Sequence, residues 1–268
     1  MKKVLFAAML AGTAFATPTL AADLARKAPV FVPPPVFSWT GFYAGVNVGY
    51  GFDDRSNVTT TGQLAVNVNN VNGGARPANA RLNSDGVIGG GQIGYNWQVS
   101  PNWLFGIEAD FQGTDIRDRR NVVTIPLNGI GTLNNVFQTQ LDYFGTVRGR
   151  FGYTFDRTLI YATGGFAYGR VQNSANFFGP AGNNQFTGTT SKTETGYTVG
   201  GGIEHYFTQN WSVKGEYLYY DLGSTTTNVA VIVQPVGQGG GSGYNSRFNN
   251  DGHIVRMGLN YKFSGGVF

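Results

Sequence analysis

The chain has 268 residues, yet only 13% of them are charged, well below the ~25% usual in soluble globular domains. Its formal charge is +4; once Lys2 and Lys3 are set aside with the export signal described next, 17 basic residues face 15 acidic ones, too even a balance for a nucleic-acid partner. Cysteine is absent, so no disulfide framework exists, and no window approaches the ~18 consecutive apolar residues of a membrane-spanning helix.

Residues 1–21 read as a removable export signal: Met1-Lys2-Lys3 is a basic start, Val4 to Ala16 an apolar core, and Thr19 and Ala21 are small residues before a cut. Residues 22–40 hold Pro29, Pro33, Pro34 and Pro35, which forbid helix and favour an extended periplasmic lead-in. From residue 41 onward the period changes to two. In "GFYAGVNVGYGF" the even positions Phe42, Val46, Val48, Tyr50 and Phe52 are apolar, and the odd ones are mostly glycine or asparagine.

Such alternation recurs in eight segments, 41–52, 86–99, 102–115, 141–155, 158–172, 193–207, 211–222 and 252–263. Each is about as long as a tilted transmembrane strand of ~9–11 residues. Ser100-Pro101, Asp156-Arg157 and Thr208-Gln209-Asn210 form tight connections, whereas 53–85, 116–140, 173–192 and 223–251 are long and polar. Short turns on one side and four long loops on the other predict one all-β domain over 41–268: an eight-stranded antiparallel transmembrane barrel with short periplasmic turns and long extracellular loops. A soluble β-sandwich is the competing reading. Strand-like stretches at 61–71, 121–127 and 228–236 extend hairpins above the membrane or, if two of them span, raise the count to ten.

Facing assigns the side chains. Trp103, Phe105, Ile107 and Phe111 alternate with Glu108, Asp110 and Gln112; Leu141, Tyr143, Val147 and Phe151 alternate with Asp142, Phe144, Arg148 and Arg150. The polar set of all strands places Glu108, Asp110, Asp142, Glu204 and Glu216 in the lumen with Arg148, Arg150, Lys214, Arg256 and Lys262. Charges withdrawn from water need partners, so a neutral network that plugs the lumen is expected; a switchable gate is the functional alternative. Trp97, Trp103, Phe155, Phe207, Trp211, Tyr261 and Phe263 fall beside the short turns and form a periplasmic aromatic girdle.

Other motifs carry less. Gly89-Gly90-Gly91-Gln92-Ile93-Gly94 has dinucleotide-loop spacing, but the alternation continues through Trp97 with no helix after it. His205 and His253 fall at opposite ends of the barrel, so they share neither a metal nor a proton. A hydrolase would have to use His253 with Asp251 and Ser242 or Ser246. No cofactor, metal or catalytic residue is assigned.

The stretches "WTGFYAGVNVGYGF", "GGGQIGYNWQ", "DYFGTVRGRFGY" and "VRMGLNYKF" carry a likeness over almost the whole exported chain. It resembles alphaproteobacterial outer-membrane proteins of the RopB type, within the OmpA-like membrane-barrel group. That resemblance implies a monomeric outer-membrane protein with a structural and surface-interaction role. It would contact outer-membrane lipids and lipopolysaccharide and be exposed to host and phage ligands, with no catalysis and at most a narrow pore. The alternatives are a passive porin for small solutes and a haem-binding surface protein. Members of the group end on an aromatic residue recognised by the barrel-insertion machinery, here Phe263 or Phe268.

Overall fold

The computed structural model describes residues 37–53, 56–127, 129, 131–232 and 243–263. The signal 1–21, residues 22–36 of the lead-in, Ser242, part of the 228–236 stretch and Phe268 lie outside the described residues. The elements are β1 (Gly41–Phe52), β2 (Ser56–Gly62), α1 (Ala65–Asn72), β3 (Asn79–Leu82), β4 (Asp85–Gln98), β5 (Trp103–Thr124), β6 (Leu133–Phe155), β7 (Thr158–Phe178), β8 (Asn184–Tyr206), β9 (Trp211–Val231) and β10 (Gly243–Lys262).

Eight antiparallel strands form a closed ring in the order β1-β4-β5-β6-β7-β8-β9-β10, and β1 pairs with β10 from Tyr43↔Lys262 to Phe52↔His253. Closure leaves no unpaired edge, the condition for a sheet to live in lipid. The sheet has ten strands, but the extra pair does not span: β2 has seven residues and β3 four, and they pair beyond the end of β1, with β2 against Tyr244–Phe248 of β10. Outward positions are apolar along every wall, as at Val46, Phe105, Val147, Ile203 and Met257, each at least two-fifths exposed.

Two sequence expectations need correction. The polar stretches 116–140 and 173–192 are largely strand, because β5 to β10 run on for 20 to 23 residues where β1 and β4 have 12 and 14. The alternation at 64–69 is helical: α1 starts where the Asn67 side chain accepts the Leu64 N–H at 3.3 Å and ends at Gly73-Gly74, with Gly74 at φ +73°. One ladder of the closed ring is irregular. β8 and β9 pair over 197–206 and again at Phe186 and Thr187, but the ladder is interrupted between Gly188 and Gly196.

The inside is stacked in layers. Trp39, Leu104, Leu159, Tyr161 and Tyr206 fill the short-turn end. A charged layer follows, then Ile88, Phe144, Leu218, Tyr220 and Ile254. Above these, Phe137, Phe177, Phe186, Tyr244 and Phe248 form the core of the extracellular part. Glycine makes this filling possible at close approaches: a Cβ at Gly94 would stand 2.4 Å from the Tyr43 ring, and one at Gly202 2.8 Å from the Tyr161 ring, each directly across the ladder. Glycines elsewhere make room for the buried cations, as at Gly258 beside the Lys214 chain and Gly106 beside that of Arg150.

Candidate functional site

The charged layer is built from strand middles, where parity holds every second side chain inward. Glu108 on β5 accepts from Arg148 Nη2 at 2.6 Å, Lys214 Nζ at 2.7 Å and the Tyr43 hydroxyl at 2.7 Å. Asp110 accepts from Arg148 at 3.0 Å, Arg256 at 2.9 Å and the Thr146 hydroxyl at 2.8 Å. Glu216 on β9 takes Arg148 Nη1 at 3.0 Å, Arg256 Nε at 2.7 Å and the Tyr161 hydroxyl at 2.9 Å. Glu204 on β8 takes Arg150 Nη2 at 2.6 Å, Ser212 at 2.6 Å and Asn260 at 2.9 Å.

Four carboxylates and four cations, none more than 5% exposed, thus neutralise one another. The bonds do not merely follow the ladder. Lys214 stands opposite Glu204 in register, yet its Nζ crosses the lumen to Glu108, and Arg150 on β6 crosses to Glu204. These ties join β5 and β6 to β8, β9 and β10 through the centre of the barrel. Removing one partner of such a buried pair costs about 3–5 kcal/mol, because the other charge is left without compensation.

Eight of the sequence-derived lumen residues meet here, and two do not. Asp142 faces the other way. Against β7 the ladder passes from Leu141 opposite Val171 to Tyr143 opposite Arg170, leaving Asp142 as an extra residue; the bulge inverts parity, buries Leu141 and turns Asp142 outward to Arg170 at 3.5 Å. Lys262 points inward but reaches no carboxylate among the described residues. Its Nζ donates to the Ser38 carbonyl and lies 4.5 Å from the centre of the Phe37 ring and 5.2 Å from that of Tyr206. It belongs to the short-turn plug, where Trp39 Nε1 donates to the Asp156 carbonyl at 3.0 Å.

Parity had put Tyr43 on the inward face of β1, but nothing local marked it or Tyr161 as partners of the charges. Arg76 was also missed. It lies in the extracellular core, 5.3 Å from the Phe177 ring centre and 5.6 Å from that of Phe186, with Nη1 donating to Asn135 and to the Phe178 carbonyl. Burial pushes its guanidinium below the usual arginine value.

The girdle residues Trp97, Trp103, Phe155, Phe207, Trp211 and Phe263 face outward at the short-turn end, with Tyr261 half-buried between Trp211 and Phe263 at ring separations of 5.0 and 5.3 Å. A second belt at the opposite end comprises Tyr50, Tyr143, Tyr168, Tyr197, Tyr217 and Tyr219. His253 is part of it, its Nδ1 2.8 Å from the Tyr217 hydroxyl, while His205 pairs with Thr158 at the short-turn end. Ser246 is fully buried inside against Thr60, so Ser246 and half-buried His253 lie on opposite faces of β10. The 89–94 glycine motif is a stretch of antiparallel β4 between β1 and β5.

A family model described as an outer membrane protein beta-barrel domain matches residues 7–263. The "31 kDa outer-membrane immunogenic protein" of Brucella melitensis is 35% identical over 277 residues, covering 98% of this chain and all of the relative. The "22 kDa outer membrane protein" of Rhizobium leguminosarum is 29% identical, covering 89% of this chain and 83% of its own. Among solved structures, the outer membrane protein OprG of Pseudomonas aeruginosa aligns over 84% of this chain and 97% of its own at 13% identity, with a TM-score of 0.47.

Proposed function

This chain belongs to the outer-membrane protein β-barrel family and resides in the bacterial outer membrane, and from that premise we propose that it is a structural and surface-interaction protein whose barrel does not conduct. The observation that carries this reading is the set of ties crossing the lumen: Glu108, Glu216 and their cations occupy the section a solute would use. An eight-stranded barrel is only wide enough inside for its own side chains. The plug at Trp39 and the core at Phe137 and Phe177 lie in series with that layer.

Surface exposure is supported by the long extracellular walls of β5 to β10 and by the Brucella relative, whose name calls it immunogenic. The placement of His253 and Ser246 on opposite faces of β10 speaks against a hydrolase that pairs these two residues. Purified protein in planar bilayers is expected to show no steady conductance, and liposomes bearing it no swelling in small sugars. Steady current that changes when Glu108 or Arg148 is neutralised would replace this reading with a porin.

A further inference from the structure

On the outward face, the wall between β1 and β7 carries a groove of about 420 Å³. Its floor is small, made by Ala44, Gly91 and Ala109, and its sides are Ile93, Phe111 and Val147. At one end the Tyr168 ring lies across Gly145, where a Cβ would stand 2.4 Å from the ring.

The groove slopes. Ala44 is three residues from the short-turn end of β1, whereas Tyr168 is ten residues from the short-turn end of β7. At about 3.3 Å per residue and a tilt of roughly 40°, those positions stand about 8 and 25 Å above the periplasmic rim. Two residues past Tyr168, on the same outward face, Arg170 is 52% exposed at the outer rim. Its Nε is held by Ser191 at 3.2 Å and Asp142 at 3.5 Å, and its terminal nitrogens make no hydrogen bond among the described residues.

We propose that this groove seats one acyl chain of a lipopolysaccharide molecule whose lipid A phosphate is bound by Arg170. The inference deepens the surface-interaction reading and rests on it. An apolar channel that begins beside a cation at the outer rim and descends through the bilayer fits a lipid whose anionic headgroup lies in the outer leaflet. A guanidinium with its fork free is the geometry that takes a phosphate through two parallel hydrogen bonds. Asp142 leaves that fork open because it engages Nε.

Full-length protein in detergent, mixed with bisphosphorylated lipid A or its fully dephosphorylated form, is to be examined by native mass spectrometry. The wild type is expected to retain the phosphorylated lipid about tenfold better, the worth of one charge-assisted contact. Arg170→Ala should abolish that preference, and Arg247→Ala, an exposed cation on β10, should leave it intact. Gly91→Leu should lower retention of both lipids. Its Cβ meets only the Gly45 carbonyl at 3.6 Å, so the wall accepts it, and unchanged heat-modifiable migration would show the barrel intact.

Equal retention by Arg170→Ala and wild type, or by Gly91→Leu and wild type, would overturn the site. If lipopolysaccharide still copurifies in that case, the broader surface reading survives. A deletion strain with an undisturbed outer membrane would remove the broader reading whatever the lipid result.

Discussion

Glu108 gathers partners from three other strands: it accepts from Arg148, Lys214 and Tyr43 and lies 3.5 Å from Arg150. Glu108→Ala is therefore expected to destabilise the barrel by about 3–5 kcal/mol, seen as a lower urea midpoint for loss of the compact electrophoretic form. The double change Glu108→Gln with Lys214→Met should cost clearly less, because neither leaves a bare charge. At this scale parity made the site legible wherever the ladder is regular, which is why Glu108, Arg148, Glu216 and Arg256 were identifiable from alternation. Asp142 was not, since a one-residue bulge leaves no compositional mark and inverts the parity of the part of β6 that precedes it. Lys262 was in phase, but phase gives no distance, and its nearest acceptor is a carbonyl of the chain before β1.

The strands divide at the membrane boundary, and their extracellular halves obey different rules. Within lipid an outward polar side chain is costly; above it both faces tolerate Thr, Asn and Ser, so the stretch 184–192 carries no alternation to read, although it is strand. Its ladder is the weak one. With no pairing to β9 between Gly188 and Gly196, those amides of residues 189–195 that point toward β9 should exchange at least about tenfold faster than the β9-facing amides of 198–205, while their neighbours bonded to β7 stay protected, measured residue by residue in micelles. Equal protection along β8 would contradict the interruption. Helix α1 was misread for a related reason: valines and asparagines alternate at 66–69, and only the Gly-Gly stop at 73–74 favours a helix end.

For the molecule as a whole, one pattern places lipid outside and a packed interior within, and it was legible because every spanning segment repeats it. The position of a charge should then decide its cost. Val147→Arg, on the outward wall beside the groove, is expected to destabilise the barrel by about 2–4 kcal/mol, whereas Thr189→Arg on the extracellular wall should cost under about 1 kcal/mol. Unfolding titrations in one lipid would separate the two, and similar costs would mean the bilayer does not lie where the apolar band puts it.

The bond that shuts the cylinder joins residues 43–52 to 253–262, with the Phe263 amide donating to the Phe42 carbonyl at 2.9 Å. During biogenesis the polypeptide consequently carries two sticky flanks until its final stretch arrives, so assembly ends in a single late zippering event. A premature stop before residue 253 would forfeit the entire fold rather than fray one corner.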